Sequence, residues 1–401
     1  MVAVEYNPFD PKAHADPYPM YARLLIQDPV HWSGLLEAWV LTRYDDVAAV
    51  LTDRRFSADR QQAQNRFARE AMQRQDEFGP FARAHTMLTV DGPEHSRLRR
   101  SLARAFNPRT VEGWRSRVQQ ITDELLDAIQ ESGRFDLIEG LAYPLPVIVI
   151  AEMLGVSRED RADFRRWSDD VVAILGGPFA SPEVVERGRK SLRDLADYFR
   201  GVIAARRREP REDLVSALIA AEERDQLSED EILATCVLLL VAGNETTRNL
   251  IGNGMLALLR HPAQMERLRQ DPSLIQSAVG ELLRFAGPVQ TTARVATEDA
   301  DIGGQTIQKG QLVFTLIAAA NRDPARFENP DELDIGRHPN EHIAFGDGPH
   351  SCLGQYLAHL EAEIAIASLL KRFPHLRLET HEVEWGGNFI IRGLKSLPLA
   401  F

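Results

Sequence analysis

The longest helical pattern in the chain covers residues 228–260. Ser228, with Glu231 three residues later, predicts a capping box, and Pro262 predicts the end of the helix. From Ile232 to Ala242 the residues are apolar on nearly every helical face, which indicates that this helix is buried on all sides. The sequence therefore predicts one long helix that crosses the middle of the molecule.

The apolar pattern breaks halfway along this helix, at Gly243-Asn244-Glu245-Thr246-Thr247. A glycine, an acid and two β-branched alcohols are costly in a buried helix, so this segment interrupts the apolar pattern of the predicted helix. Local rules that fail inside a buried element indicate a functional site. The alternative is a helix kink in which a threonine hydroxyl bonds back to its own turn.

Shorter patterns of strand formers flank the long helix. His31-Trp32-Ser33 and residues 38–44 predict a small hairpin-built sheet, followed by a helix through Leu51 with Asp45 or Asp46 as its cap. Residues 299–314 alternate in strand fashion, and residues 376–401 are β-like, with a turn at 386–390.

Two polar or glycine-rich stretches lie between the predicted helices of the first half. Residues 60–85 are rich in Gln and Arg with few apolar anchors, which favours a mobile, solvated segment. Gly176-Gly177-Pro178 separates two helical patterns, the second running from about Pro182 to Arg208. The pair is interpreted either as a hinge that opens over a pocket or as an ordinary helical hairpin.

The candidate chemistry lies at residues 342–354, which hold one of only two cysteines in the chain. Apolar residues recur at helical spacing after Cys352 and predict a helix that starts just beyond it. Unpaired N–H groups and the positive end of the helix dipole favour thiolate over thiol. One thiolate does not suit zinc, which takes about four ligands, but it suits an axial position of haem iron. The alternative is an inert cysteine in a glycine-rich turn.

The pattern Phe-Gly-x-Gly-x-His-x-Cys-x-Gly, at residues 345–354, resembles the haem-binding loop of the cytochromes P450. The resemblance implies one domain over residues 1–401 with an α+β, mostly α-helical fold that has a long central helix and a small β-rich region. It implies haem b, with Cys352 as the axial ligand of the iron. The further haem-binding residues that it implies are His95, Arg99, Ala242, Gly243, Arg294, Phe345, Gly346, His350 and Gly354.

Other motifs follow in the family's order along the chain. Residues 242–247 resemble its oxygen-activation groove, in which Thr246 hydrogen-bonds dioxygen and Glu245 relays protons. Glu281-x-x-Arg284 resembles a buried structural pair completed by a later arginine, here Arg337 by position. The candidate substrate wall is Leu88, Val289, Thr292 and Ile390.

Composition excludes several other functions. The 401 residues suggest two or three domains by size, and only the resemblance argues for one. A net charge of −12 argues against general nucleic-acid binding, and two cysteines fit a reducing cytoplasm. No apolar run is long enough to span a membrane, and the N-terminus resembles neither a signal nor an anchor. The chain thus resembles the soluble bacterial members of the family, which are cytoplasmic.

The implied function is a haem-thiolate monooxygenase that hydroxylates or epoxidises a largely apolar small molecule with dioxygen. The chain has no dinucleotide-binding fingerprint and no iron–sulfur cysteines, so the electrons come from an external ferredoxin or flavodoxin-type donor. The hypothetical docking patch is Arg97, Arg100, Arg104, Lys371 and Arg372. The alternatives are a peroxide-driven peroxygenase, which usually lacks the acid–alcohol pair, and a non-catalytic haem sensor.

Overall fold

The structure is a computed structural model that describes residues 5–66, 68–69, 86–157, 159–174, 181–222 and 227–401. Most of the segment predicted to be mobile, at 60–85, lies outside these residues. The Gly-Gly-Pro sequence that was interpreted as a hinge or hairpin lies outside them as well.

Helices make up most of the described chain. In chain order they are α1 (Pro11–Ala15), α2 (Tyr18–Gln27), α3 (Tyr44–Thr52), α4 (Gly92–Ala103), α5 (Pro108–Glu112), α6 (Arg115–Ile129), α7 (Pro144–Met153), α8 (Arg161–Ile174), α9 (Pro182–Arg208), α10 (Leu214–Glu222), α11 (Glu229–Arg260), α12 (Pro262–Gln270), α13 (Ile275–Ala286), α14 (Ile317–Ala320) and α15 (Gln355–Arg372).

The long helix α11 forms as the sequence predicts. The Glu231 N–H donates to Ser228 Oγ at 3.3 Å, and the Ser228 N–H donates to Glu231 Oε2 at 2.7 Å, so the capping box is present. The helix packs against α7, α13 and α15 within the largest hydrophobic cluster of the described residues. The apolar pattern breaks at 243–247 as the sequence shows, and α11 stays helical through this segment. Thr246 Oγ1 donates to the Ala242 carbonyl at 2.8 Å, which satisfies the alcohol within its own turn.

The strands of the described residues are short, and five of the twelve form one main sheet. They are β1 (Val30–Ser33), β2 (Ala38–Leu41), β3 (Phe56–Ser57), β4 (Arg134–Asp136), β5 (Thr292–Ala296), β6 (Ala300–Ile302), β7 (Gln305–Ile307), β8 (Leu312–Thr315), β9 (Arg377–Leu378), β10 (Trp385–Gly387), β11 (Arg392–Leu394) and β12 (Pro398–Ala400). The main sheet has the order β1-β2-β8-β5-β3, while β6-β7, β10-β11 and β4-β12-β9 form smaller sheets.

The predicted hairpin is confirmed, since β1 and β2 pair antiparallel with Trp32 opposite Trp39. The predicted cap of the following helix is wrong. Arg43 occupies the N-cap of α3, and Asp45 and Asp46 lie in its first turn, where the helix dipole also favours acids. The predicted turn at 386–390 starts too early, because Gly386 belongs to β10.

A buried carboxylate ties α13 to the chain that leads into the cysteine loop. Glu281 accepts hydrogen bonds from Arg284 Nε and Nη2, both at 2.8 Å, and from Arg337 Nε at 3.1 Å. It also accepts from the Asp334 N–H at 3.0 Å and from Asn340 Nδ2 at 3.2 Å. The side chains of Glu281 and Arg284 are both 0% exposed. The family resemblance grouped Glu281 and Arg284 with Arg337, and the Glu281 carboxylate does contact both arginines.

No helix within the described ranges is both long enough and apolar enough to cross a membrane.

We predict that Glu281→Gln lowers the free energy of unfolding by about 3–5 kcal/mol, because it leaves two buried guanidinium groups without their carboxylate. Urea titration of the purified protein measures this loss. The matched control is Glu186→Gln, since Glu186 also faces two arginines, at 3.3 Å and 3.7 Å, but its side chain is 65% exposed. The control loses less than about 1 kcal/mol. Equal losses in the two variants contradict the prediction.

Candidate active site

A large cavity lies between the middle of α11 and the loop that precedes α15. Its empty volume is about 1530 Å³, including the part open to solvent. Most of its lining is apolar, with contributions from α11, from β5 and the turn before it, and from residues 344–354. The cavity therefore brings together the interrupted apolar pattern and the cysteine loop, which are about a hundred residues apart in sequence.

The cysteine loop presents its sulfur to this cavity. The Cys352 N–H donates to the Phe345 carbonyl at 2.8 Å, which closes the loop. Gly346 and Gly348 have φ angles of +73° and +67°, a region that other residues rarely adopt, and a Cβ on Gly348 would meet the Leu51 carbonyl at 3.0 Å. Cys352 is exposed and lines the cavity. The loop backbone thus fixes the position of the thiol.

The helix-end effects predicted for Cys352 are present, and burial of the thiol acts against them. Burial in the low-dielectric cavity raises the pKa of the Cys352 thiol above its usual value. The N–H groups of Gly354 and Gln355 and the Arg99 guanidinium lower this pKa, as the sequence suggested, but they do not offset burial. A bound metal ion would deprotonate the thiol outright.

The opposite wall of the cavity is the middle of α11. Ala242, Gly243 and Thr246 line it, whereas Glu245 does not. Glu245 is buried and accepts hydrogen bonds from Arg248 Nη1 at 3.1 Å and from Asn249 Nδ2 at 3.0 Å. The acid and the alcohol of the predicted groove are therefore adjacent in sequence but point to different surroundings.

Basic side chains gather at one end of the cavity. Arg99 Nη1 donates to the Ser351 carbonyl at 2.8 Å, and Arg294 Nη1 donates to the Ala293 carbonyl at 2.9 Å. Neither guanidinium has a carboxylate partner among the described residues. Burial lowers the pKa of both groups, to about 10 for Arg294. Two cations are thus held in the cavity wall without a counter-charge in direct contact.

Two histidines complete this end of the site. The rings of His95 and His350 are 4.1 Å apart, and His350 Nε2 lies 3.0 Å from Asp91 Oδ1. His95 is buried, its Nε2 has no hydrogen-bond partner within the described chain, and burial lowers its pKa to about 4. His95 does not line the cavity, whereas His350 does.

Arg60 is a cavity residue that the sequence reasoning missed. It begins a short 3₁₀ turn after β3 and lines the cavity together with Arg99 and Arg294. In sequence it is one of many arginines in a polar stretch, so no local pattern distinguishes it. Only the pairing of β3 with β5, which also carries Arg294, brings it to the cavity.

Three of the four predicted substrate residues line the cavity, namely Leu88, Val289 and Thr292. Ile390 is not part of the lining. Its carbonyl accepts from the Gln290 N–H at 2.8 Å, and its own N–H donates to Asn388 Oδ1, so its backbone is bonded to the residue that follows Val289.

The arrangement fits a haem group. A single sulfur faces a cavity with apolar walls, and Phe345, Gly346 and Gly354 stand beside that sulfur in the lining. A Cβ on Gly354 would meet nothing within 4 Å, so the space next to the sulfur is open. The unpaired guanidinium groups and the unsatisfied His95 nitrogen are donors of the kind that haem propionates require.

Comparison with known proteins agrees with this geometry. The family model described as "Cytochrome P450" matches residues 31–384. Cytochrome P450 CYP107DY1 of Priestia megaterium is 44% identical over 376 residues, which cover 92% of this chain and 90% of that protein. The polyketide biosynthesis cytochrome P450 PksS of Bacillus subtilis is 40% identical and covers 100% of this chain and 99% of its own length.

A solved structure is similarly close. The crystal structure of P450BioI, in complex with an acyl carrier protein ligated to hexadec-9Z-enoic acid, superposes with a TM-score of 0.91 at 39% identity. It covers 97% of this chain and 100% of its own. The chain therefore belongs to the cytochrome P450 family, and it is an oxidoreductase of the monooxygenase class that binds haem b through a cysteine thiolate.

Proposed function

We propose that the protein hydroxylates or epoxidises a largely apolar small molecule, using dioxygen and electrons from a ferredoxin or flavodoxin-type donor, with Cys352 as the haem ligand. One observation carries the proposal: the only thiol that faces the large cavity, within the described chain, lies opposite the Ala242–Thr246 segment of α11. The other cysteine, Cys236, is fully buried in the hydrophobic core.

Haem with a thiolate ligand supplies the redox chemistry that cleaves the dioxygen bond. Arg99 and Arg294, with His95 and His350, would hold the propionates, because neither guanidinium has a carboxylate partner among the described residues and the His95 Nε2 has no hydrogen-bond partner there. Phe345, Gly346 and Gly354 line the cavity around the sulfur, and Ala242 and Gly243 line the opposite wall.

Thr246 and Glu245 serve the proton delivery that reduction of dioxygen requires. The Thr246 hydroxyl lines the cavity and donates a hydrogen bond to the Ala242 carbonyl oxygen. A rotation about χ1 would free the hydroxyl to donate to dioxygen instead. Glu245 supplies the proton from behind, and it must first release Arg248 or Asn249, since each holds one of its oxygens. The hydrogen bonds from Arg248 and Asn249 thus hold the Glu245 carboxylate away from the cavity.

The apolar lining supports an apolar substrate. Leu88, Leu238 and Val289 line the cavity and can bind a ligand mainly by dispersion contacts and by burying its apolar surface. The names of relatives agree with a role in secondary metabolism, as PksS belongs to polyketide biosynthesis. P450BioI was solved with a fatty acid on an acyl carrier protein, so a carrier-bound substrate is compatible with the proposal.

A peroxide-driven peroxygenase is the second candidate activity. It shares the thiolate but has no need for a buried acid beside a cavity-lining alcohol. Glu245 and Thr246 provide both in adjacent positions, which favours the reductase-driven reaction. A haem sensor would consume no reductant in response to substrate.

The electron donor docks over α4 and α15, near the cysteine loop. The predicted basic patch contains two kinds of residue. Arg97 pairs with Glu231 at 2.5 Å, and Arg372 pairs with Asp127 at 2.5 Å, so both already have an acidic partner. Arg100, Arg104 and Lys371 are exposed and have no ionic partner in the part of the chain that the structure describes. These three residues are the best contacts for an acidic redox protein.

We predict that Cys352→Ala abolishes the red-shifted Soret band of the reduced carbon monoxide adduct, whereas Cys236→Ala keeps it. The two variants remove the only two cysteines of the chain one at a time, so they separate the ligand from a thiol in the core. Absorption spectra of the purified proteins after haem supplementation decide between them. A red-shifted band in Cys352→Ala, or its absence in the wild type, contradicts the assignment.

We predict that Thr246→Ala uncouples reductant consumption from product by about tenfold or more, while Thr246→Ser retains most of the coupling. The serine keeps the hydroxyl that faces the cavity, and the alanine removes it. Coupling is the ratio of product formed to reductant consumed. If alanine and serine give the same ratio, the hydroxyl has no part in proton delivery.

We predict that the double variant Arg104→Glu/Lys371→Glu raises the KM for the electron donor about tenfold and weakens its salt dependence, because the reversed charges repel an acidic partner. Steady-state reduction at several salt concentrations measures both effects. The matched control is Lys12→Glu/Arg54→Glu, which reverses two basic residues outside α4 and α15. An equal change in the control shows that net charge, and not this patch, is responsible.

A further inference from the structure

We propose that Arg60 binds the carboxylate of an otherwise apolar substrate, so that the preferred substrates of this enzyme are acids. The inference rests on the proposed function, because it places the acid in the cavity that also holds the haem. It adds a substrate class and a binding residue to that function.

Three guanidinium groups line the cavity, those of Arg60, Arg99 and Arg294. The haem has two propionates, and Arg99 and Arg294 suffice to provide one guanidinium for each. Arg60 is then a third cation with no propionate of its own. Arg60 is exposed at the cavity and has no carboxylate partner among the described residues, so its guanidinium can pair with a ligand that brings a negative charge.

The guanidinium of Arg60 is available to a ligand. Arg99 and Arg294 each spend one N–H on a backbone carbonyl, whereas Arg60 has no side-chain hydrogen bond or ion pair to any described residue. The carboxylate of Asp91 is already engaged with Ser57, Ala58 and His350.

The backbone beneath Arg60 is held firmly although the side chain is free. Asp59 caps the 3₁₀ turn by accepting from the Gln61 N–H at 3.1 Å. Ser57 pairs with Val295 between β3 and β5, and the Gln64 N–H donates to the Gly310 carbonyl at 2.9 Å. A preorganised arginine loses little freedom when it forms two parallel hydrogen bonds to a carboxylate.

The neighbouring lining suits the rest of such a molecule. Leu51, Met87, Leu88, Val289 and Ile317 are apolar and line the same cavity as Arg60. An acid with a hydrocarbon body therefore finds a charged anchor and apolar walls in one space, while a neutral analogue finds only the walls.

The test is a Soret-shift titration of the haem-loaded protein at pH 8 with tetradecanoic acid and with its methyl ester, which has the same hydrocarbon chain and no charge. In the wild type, the acid binds about tenfold or more tightly than the ester. Arg60→Gln abolishes this preference, and Arg60→Lys keeps part of it, since the charge remains without the planar fork. Arg54→Gln is the matched control, because Arg54 is exposed and does not line the cavity, and it behaves as the wild type.

Haem retention separates substrate binding from propionate binding. The haem content of Arg60→Gln and its rate of haem loss to apomyoglobin are expected to equal those of the wild type. Faster haem loss, together with equal weakening for acid and ester, assigns Arg60 to a propionate and overturns the proposal. A wild type that does not prefer the acid overturns it as well, while its red-shifted carbon monoxide band leaves the proposed function intact. If that band is missing, both proposals fail.

Discussion

The buried carboxylate of Glu281 fixes the geometry on which the site depends. It binds Arg284 from its own helix and Arg337 from the segment that leads to the cysteine loop. Arg284 in turn donates to the Asn321 carbonyl, and Asn321 Oδ1 accepts from the Ile343 N–H at 2.8 Å. Helix α13 and the loop entry are therefore joined by charge-assisted bonds in a region without competing water. These bonds fix the position of the chain before Cys352, and they therefore also fix the position of its sulfur.

Patterns that depend on neighbouring residues were readable from the sequence. The capping box of α11, the β1–β2 hairpin and the helix after Cys352 each rest on contacts within a few positions, and all three form as expected. The family motif also predicted the cofactor and the overall fold. The grouping of Glu281, Arg284 and Arg337 needed the resemblance, because Glu-x-x-Arg alone is typical of any exposed helix.

Properties that arise from tertiary contacts were less readable. The apolar pattern of α11 breaks at residues 243–247, yet the helix continues, and Thr246 satisfies its hydroxyl on the Ala242 carbonyl. The helix-end effects predicted at Cys352 are present, but burial raises the pKa of the thiol against them. Arg60 carried no local signal, and Ile390 was placed on the wall although it is not part of the cavity lining. For Arg60 the deciding contact joins distant parts of the sequence, since β3 pairs with β5.

Asp91 has a consequence for how the two ends of the site are held together. One carboxylate receives the Ser57 hydroxyl, the Ala58 N–H and the ring of His350. The segment just before Arg60 and the loop that carries Cys352 are thus bonded to the same carboxylate. Asp91 therefore sets the spacing between the turn that holds Arg60 and the imidazole two residues before the sulfur.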